Sequence, residues 1–216
     1  MTAATRSAMV VVSGDDIHHD LLSAASVFQT LGTEAGFVTT AAMGMGRFID
    51  PMPRTAEADV YLLYTSGGLS SAAQQEALAA AVAGGKGLVA IHCSNVLGPD
   101  DQAMYSLLGN RYLSHGPDHH EGTFEVVVAG DHPVTRGVGN FTLFDEYYEF
   151  EFASDDHVVL ASRRRVSDGL SIPVLYVRSF GAGRVCYLAL GHDMRAWGQP
   201  AFRALVRQAL TWASKG

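Results

Sequence analysis

Histidines, carboxylates and hydroxyls stand after four apolar runs of this chain, where they could transfer protons or ligate a metal. Met9 to Val12 leads to Asp15, Asp16, His18 and His19, and the run Asp59 to Thr65 leads to Ser66 and Gly67. Gly87 to Ile91 leads to His92, Cys93 and Ser94, and the run closing at Leu190 leads to Gly191, His192 and Asp193. Imidazole changes charge near neutral pH, and a carboxylate beside it fixes the tautomer and stabilises the imidazolium. A histidine on the end of a buried strand must find a partner, which singles out His92 and His192. Asp15, Asp16 and Ser66 read equally well as caps of the helices that follow.

Two other chemistries use the same residues. Cys93 stands where a strand-to-helix turn could project a nucleophilic thiol. The small residues expected two positions to either side are replaced by Ile91 and Asn95, so a buried, inert thiol is the better reading. Neutral imidazoles and a carboxylate also suit zinc, but His18, His19, His92 and His192 have no diagnostic spacing and would have to converge in space. A divalent metal such as zinc is therefore left open. His115, His119 and His120 read as a solvated loop, and His157 as surface.

The elements that must place these residues follow from periodicity. Short apolar runs alternate with helical patterns: Leu21, Ala25, Phe28 and Leu31 at helical spacing, then an Ala-rich helix with Ser71 and Gln74 as its capping box. Gly36 to Thr40 reads as a further strand. The pattern predicts an α/β fold with a doubly wound parallel sheet, in which ligands bind beyond the carboxyl ends of the strands. Thr123 to Ala129, Phe141 to Phe152 and Val158 to Ser162 lack intervening helices and predict an antiparallel addition. Pro173 to Val177 and Arg184 to Leu190 flank a glycine loop as a hairpin, and Phe202 to Ala213 forms a last amphipathic helix behind Pro200. In the segment 141–152 alternation sends Asp145 and Glu146 to opposite faces, so at most one can face the cleft, and the longer reach of Glu146 favours it as the inward one.

Bulk properties narrow the function classes. The length of 216 residues suits one domain. No apolar run approaches the roughly 20 residues of a membrane span. Fifteen basic against 22 acidic side chains, a net charge of −7, oppose binding to a nucleic acid. The two cysteines, Cys93 and Cys186, cannot form a disulfide framework, and the start of the chain lacks a secretory pattern, so a cytoplasmic protein is expected. The expected partner is a small molecule, not a membrane, and self-association into a homo-oligomer is left open.

Over nearly its whole length the chain resembles the ThuA-like (trehalose utilisation) family. The residues that carry the resemblance are Gly87 to Ser94 (GLVAIHCS), Leu107 to Gly109 with His115, Asp131 to Thr135 (DHPVT), Phe144 to Tyr147 (FDEY), Gly181 to Val185 (GAGRV), Leu190 to Asp193 (LGHD) and Trp197. The resemblance implies a flavodoxin-like sheet of the kind found in class I glutamine amidotransferases, without their catalytic signature. It also implies a link to sugar metabolism and a polar cleft holding His92, Asp145, Glu146, His192 and Asp193.

The combined expectation is an enzyme acting on a sugar or an oxidised, keto-type sugar derivative. His92 or His192 would move the proton, and Glu146 or Asp193 would orient the imidazole. Ligand contacts are expected from Asp15, His18, His19, Ser66, Gly67, Cys93, Ser94, His115, His132, Asp145, Tyr147 and Trp197. The alternatives are a non-catalytic sugar-binding or regulatory domain, and a Cys93-dependent hydrolase or amidotransferase.

Overall fold

A computed structural model describes residues 6–14, 17–66 and 70–215. Asp15, Asp16 and Gly67 of the expected site lie outside the described residues, and of Ser66 only the backbone is described.

The first apolar run becomes β1 (Ser7–Gly14), and Asp20 then caps α1 (Leu21–Glu34) by accepting from the Ser23 amide at 2.9 Å. Next come β2 (Val38–Met43), the short α2 (Pro53–Glu57) and β3 (Val60–Ser66). Ser71 and Gln74 form their capping box at the head of α3 (Ala72–Ala83), which leads into the fully buried β4 (Gly87–Ile91). After α4 (Gln102–Leu108) the chain runs through β5 (Asn110–Ser114), β6 (Glu121–Val128), β7 (Phe141–Glu146), β8 (Glu149–Phe152) and β9 (Val158–Arg164). It closes with β10 (Ser171–Phe180), β11 (Gly183–Leu188), α5 (Met194–Trp197) and α6 (Pro200–Ala213).

Among the described residues nine strands form one mixed sheet in the order β2-β1-β3-β4-β11-β10-β9-β6-β7. From β2 to β11 the pairing is parallel, and from β11 to β7 it is antiparallel. This is the α/β architecture with an antiparallel addition that the sequence pattern implies. Helix α1 packs with α6, and α3 with α4. The inward stripe of α6 (Phe202, Leu205, Val206, Ala209, Leu210 and Ala213) is buried throughout, as the 3.6-residue period requires.

The segment 141–152 differs from its expected form. It is two strands, not one: the Tyr147 amide still reaches His120 O at 3.0 Å in the register of the β6–β7 pair, and the chain then turns as Tyr148 donates its own amide to Glu146 O at 3.2 Å. The turn takes the chain out of the large sheet, and β8 pairs with β5 in a separate two-stranded sheet. The turn is backed by Arg163, which is 1% exposed, lies 4.8 Å from the Tyr147 ring and donates to Tyr148 O at 3.4 Å. The spans α2, α4, α5 and β5 have no counterpart in the sequence reading, since four to seven residues are too few for a period to register.

Helix α6 reaches β4 closely because Gly87 has no side chain. An added Cβ there would stand 2.6 Å from the carbonyl carbon and oxygen of Ala213. Gly87→Ala should therefore push α6 off the sheet and lower stability by about 1–3 kcal/mol. The measurement is a urea midpoint that falls while the slope stays the same; an unchanged midpoint would mean that the helix end yields freely.

Candidate functional site

Backbone geometry places the first histidine. Strand β4 ends at Ile91, and His92 follows with φ of +47°, the one non-glycine residue in the left-handed region among those described. A β-extended strand that turns this sharply projects the turn residue over the sheet edge, and non-glycine residues there carry strain that packing must hold. Tyr187 Oη donates to His92 O at 2.8 Å, and the ring stacks on Tyr148 with centroids 4.0 Å apart. The small flanks of such an elbow, Ala90 and Ser94, thus bracket His92 and not Cys93. That signal is present in the sequence but is missed when the search centres on nucleophiles.

His192 is placed by a second carboxylate. Asp145 accepts the amides of Gly191 at 2.7 Å, His192 at 3.1 Å and its own neighbour Glu146 at 2.9 Å. Gly191 sits at φ of +110°, where a Cβ would stand 2.9 Å from the Phe202 ring. Tyr64 Oη donates to His192 O at 2.7 Å, and Trp197 Nε1 to Gly191 O at 2.7 Å. The rings of His92 and His192 lie 5.3 Å apart, and His19 reaches in from the β1–α1 connection, 5.0 Å from His192 and 5.3 Å from His92.

At the centre is Glu146, 6% exposed. Its Oε2 lies 3.1 Å from His92 Nε2 and 3.3 Å from His115 Nε2. Its Oε1 lies 3.5 Å from His192 Nδ1 and 3.6 Å from His120 Nδ1. Burial alone would raise this carboxyl's pKa, but the His115 and His92 nitrogens beside it and the surrounding imidazoles outweigh it and hold it well below the usual carboxylate range. Burial, and then the neighbouring histidines, lower His19 to about 3, and burial followed by His92 lowers His192.

The tautomer of His92 bears on the chemistry. Its Nδ1 lies 2.8 Å from Ala189 O, a carbonyl that can only accept, so Nδ1 carries the hydrogen. In the neutral ring the Nε2 lone pair then faces the Glu146 carboxylate, an arrangement that a proton or a cation between them relieves. A ring nitrogen held by a backbone carbonyl is the usual support of a metal-bound histidine. His192 Nδ1 is likewise buried and makes no aligned hydrogen bond. One donor atom from each of His19, His92, His192 and Glu146 lies within 4.8 Å of the others, and the 3.1 Å His92–Glu146 separation is close to the roughly 3.3 Å between ligands of tetrahedral zinc.

This centre opens into a cleft of about 510 Å³ whose walls include Ile17, His18, Tyr112, His115, His120 and Tyr148. His18 is exposed at its mouth. Tyr112, Tyr148 and His120 have no place in the expected site. Tyr112 Oη lies 2.8 Å from His115 Nδ1 and orients that ring, and the loop expected to be solvated instead brings His115 and His120 onto Glu146.

Several expected contacts lie elsewhere. Asp193 caps α5 and pairs with Arg195 at 2.6 Å, so it orients no imidazole. Asp145 spends its carboxylate on three amides and does not face the cleft. Tyr147 packs behind the site on Phe124 and Arg163, because the break after β7 turns Tyr148 inward in its place. Trp197 is a core residue against Phe28 and Tyr64. Ser94 donates to Leu63 O at 3.0 Å and Ile91 O at 2.8 Å, bracing the turn. His132 accepts from the Val134 amide and lies against Trp212, near the end of α6 and away from the cleft. Cys93 is 1% exposed, and burial pushes its thiol well above the ordinary value.

Two measurements follow. Cys93 should react with iodoacetamide in the native protein far more slowly than a free thiol does, and at the ordinary rate in denaturant; fast native alkylation would restore a nucleophilic thiol. A histidine whose pKa is lower folded than unfolded takes up its proton first in the unfolded chain, so stability rises with pH between the two values. For His19 that window runs from about 3 to the ordinary 6.5. In the presence of a chelator His19 alone should cost the protein up to about 2 kcal/mol between pH 6.5 and pH 5. His19→Asn should flatten that dependence, whereas an unchanged slope would show that His19 titrates normally.

The family model described as ThuA, trehalose utilisation, matches residues 8–213. No curated protein matches the sequence significantly. A ThuA-like protein from Parabacteroides merdae superposes with a TM-score of 0.81 at 14% identity, covering 98% of this chain and 91% of that one. One from Bacteroides uniformis gives 0.77 at 18%, covering 99% and 93%. A β-galactosidase from Bacillus circulans gives 0.62 at 17%, with 98% of this chain matching 31% of that enzyme. At these identities the structures speak for the fold alone, and among the described residues no helix is long and apolar enough to cross a membrane. The family match over almost the entire chain, on a fold shared with two ThuA-like structures, makes this protein a member of the ThuA (trehalose utilisation) family.

Proposed function

We propose that this protein is an enzyme of carbohydrate metabolism acting on a sugar or an oxidised, keto-type sugar derivative, with a divalent cation such as zinc held by His19, His92, His192 and Glu146. The observation that carries the reading is the buried Glu146 carboxylate facing a lone pair of His92 whose tautomer is fixed by Ala189 O. A cation bound there would polarise a sugar carbonyl or lower the pKa of a bound water. The lowered pKa values of His19 and His192 keep both rings neutral near pH 7, the form that ligates. Tyr148 and Tyr112 line the cleft and offer hydroxyls to the hydroxyls of a sugar.

A second reading rests on the same 3.1 Å contact: with a proton in place of the cation, His92 and Glu146 are an acid–base pair working on the substrate directly. Metal removal separates the two. Zinc should raise the melting temperature of the stripped protein by several degrees, as a ligand specific to the folded state does. Glu146→Gln, which keeps shape and removes charge, should abolish that rise. Asp145→Asn should instead lower stability with or without zinc by about 1–3 kcal/mol, because it replaces an acceptor of buried amides. Turnover of a panel of free and oxidised sugars, followed by NMR, should need zinc and Glu146. Zinc-independent turnover favours the acid–base pair, and ligand shifts without turnover assign the cleft to sugar binding.

A further inference from the structure

His115 and His120 are not used by the four-donor centre, yet both converge on its carboxylate. Donor atoms of His115, His120 and Glu146 lie within 4.8 Å of one another, a second group that shares only Glu146 with the first. Each Glu146 oxygen faces one imidazole of each group: Oε2 has His92 at 3.1 Å and His115 at 3.3 Å, and Oε1 has His192 at 3.5 Å and His120 at 3.6 Å. His115 is also held as a ligand is held. Tyr112 Oη engages its Nδ1 at 2.8 Å, which leaves Nε2 directed at the carboxylate, buried and without an aligned hydrogen bond. A solvated loop has no need of such an arrangement.

From this geometry we infer a second cation site, made by His115, His120 and a Glu146 carboxylate that bridges two ions. It rests on the cation proposed for the first group. The two groups differ in kind. The first has four donors and is largely buried; the second has three, with His120 64% exposed, and keeps its remaining positions open to the cleft. Three protein ligands plus open positions are the composition of a site that takes substrate or water. Paired cations bridged by one carboxylate sit about 3.5–4 Å apart and clamp two oxygens at once. The ligand class that fits is therefore a sugar derivative presenting two neighbouring oxygens, such as a vicinal diol or an α-hydroxy ketone, and not an isolated hydroxyl.

Metal content tests this without any substrate. The full chain, stripped with a chelator and dialysed against zinc, should hold about two ions per chain by elemental analysis. His120→Ala and the milder His115→Gln should each hold about one and keep the zinc-induced rise in melting temperature. Loaded with manganese, the wild type should give a spin-coupled signal, and His120→Ala the uncoupled spectrum of an isolated ion. One ion in both wild type and variants would overturn the second site and leave the first standing. Two ions retained in both variants would place the second ion elsewhere and equally overturn it. No bound ion in any form would remove both readings together.

Discussion

A single buried carboxylate, that of Asp145, accepts three backbone amides: one from the end of β7 and two from the loop after β11. Those strands stand four places apart in the sheet order, β7 at its edge and β11 near its middle. Burial raises the Asp145 pKa, and the amides from Gly191, Glu146 and His192 work against it. An ionised carboxylate inside a fold is tolerated when such donors surround it. Through these three bonds the peptide units that carry Glu146 and His192 are held in one frame. The remaining anchors are of the same type: hydroxyls of Tyr64 and Tyr187 grip the carbonyls of His192 and His92. The site's side chains thus hang from backbone that core residues fix.

That rigidity explains how Glu146 can stay charged. A lone buried carboxylate would take up a proton, but here imidazoles approach both oxygens and reverse the effect of desolvation. The same crowding works against charge on the histidines, so His19 and His192 resist protonation. One anion facing rings of which His19 and His192 are held from charging is the setting on which the proposed cation rests.

The α/β order, the strand ends and the pairing of His92 with His192 were legible because each rests on a local rule: an apolar run, a polar stop, a glycine. Strand alternation allowed only one of Asp145 and Glu146 to face the cleft, and the family resemblance and the longer side chain pointed to Glu146. What alternation could not show is where it stops. The turn marked by the Tyr148 amide on Glu146 O ends β7, and it exchanges the expected Tyr147 for Tyr148 in the cleft. His120 was beyond reach for another reason: its partner Glu146 lies far away in sequence, and nothing local marks a loop that folds back onto a buried carboxylate. The motif aspartates mislead in a different way. Asp145 and Asp193 sit next to site residues, and both serve the backbone.

The two-stranded sheet of β5 and β8 shares no pairing with the nine-stranded one, and His115 and His120 lie in the connection that leaves β5. A ribbon of two short strands is marginal by itself, and β8 is held to the large sheet by Phe150 and Phe152 against Tyr176 and by the Arg165–Glu149 ion pair. An opening of that seam would leave the large sheet intact while loosening the connection that bears His115, so the β5 amides would exchange their hydrogens through a smaller opening than those of β4. The entry of ions and ligands on that side of the cleft would then follow the seam and not the unfolding of the domain.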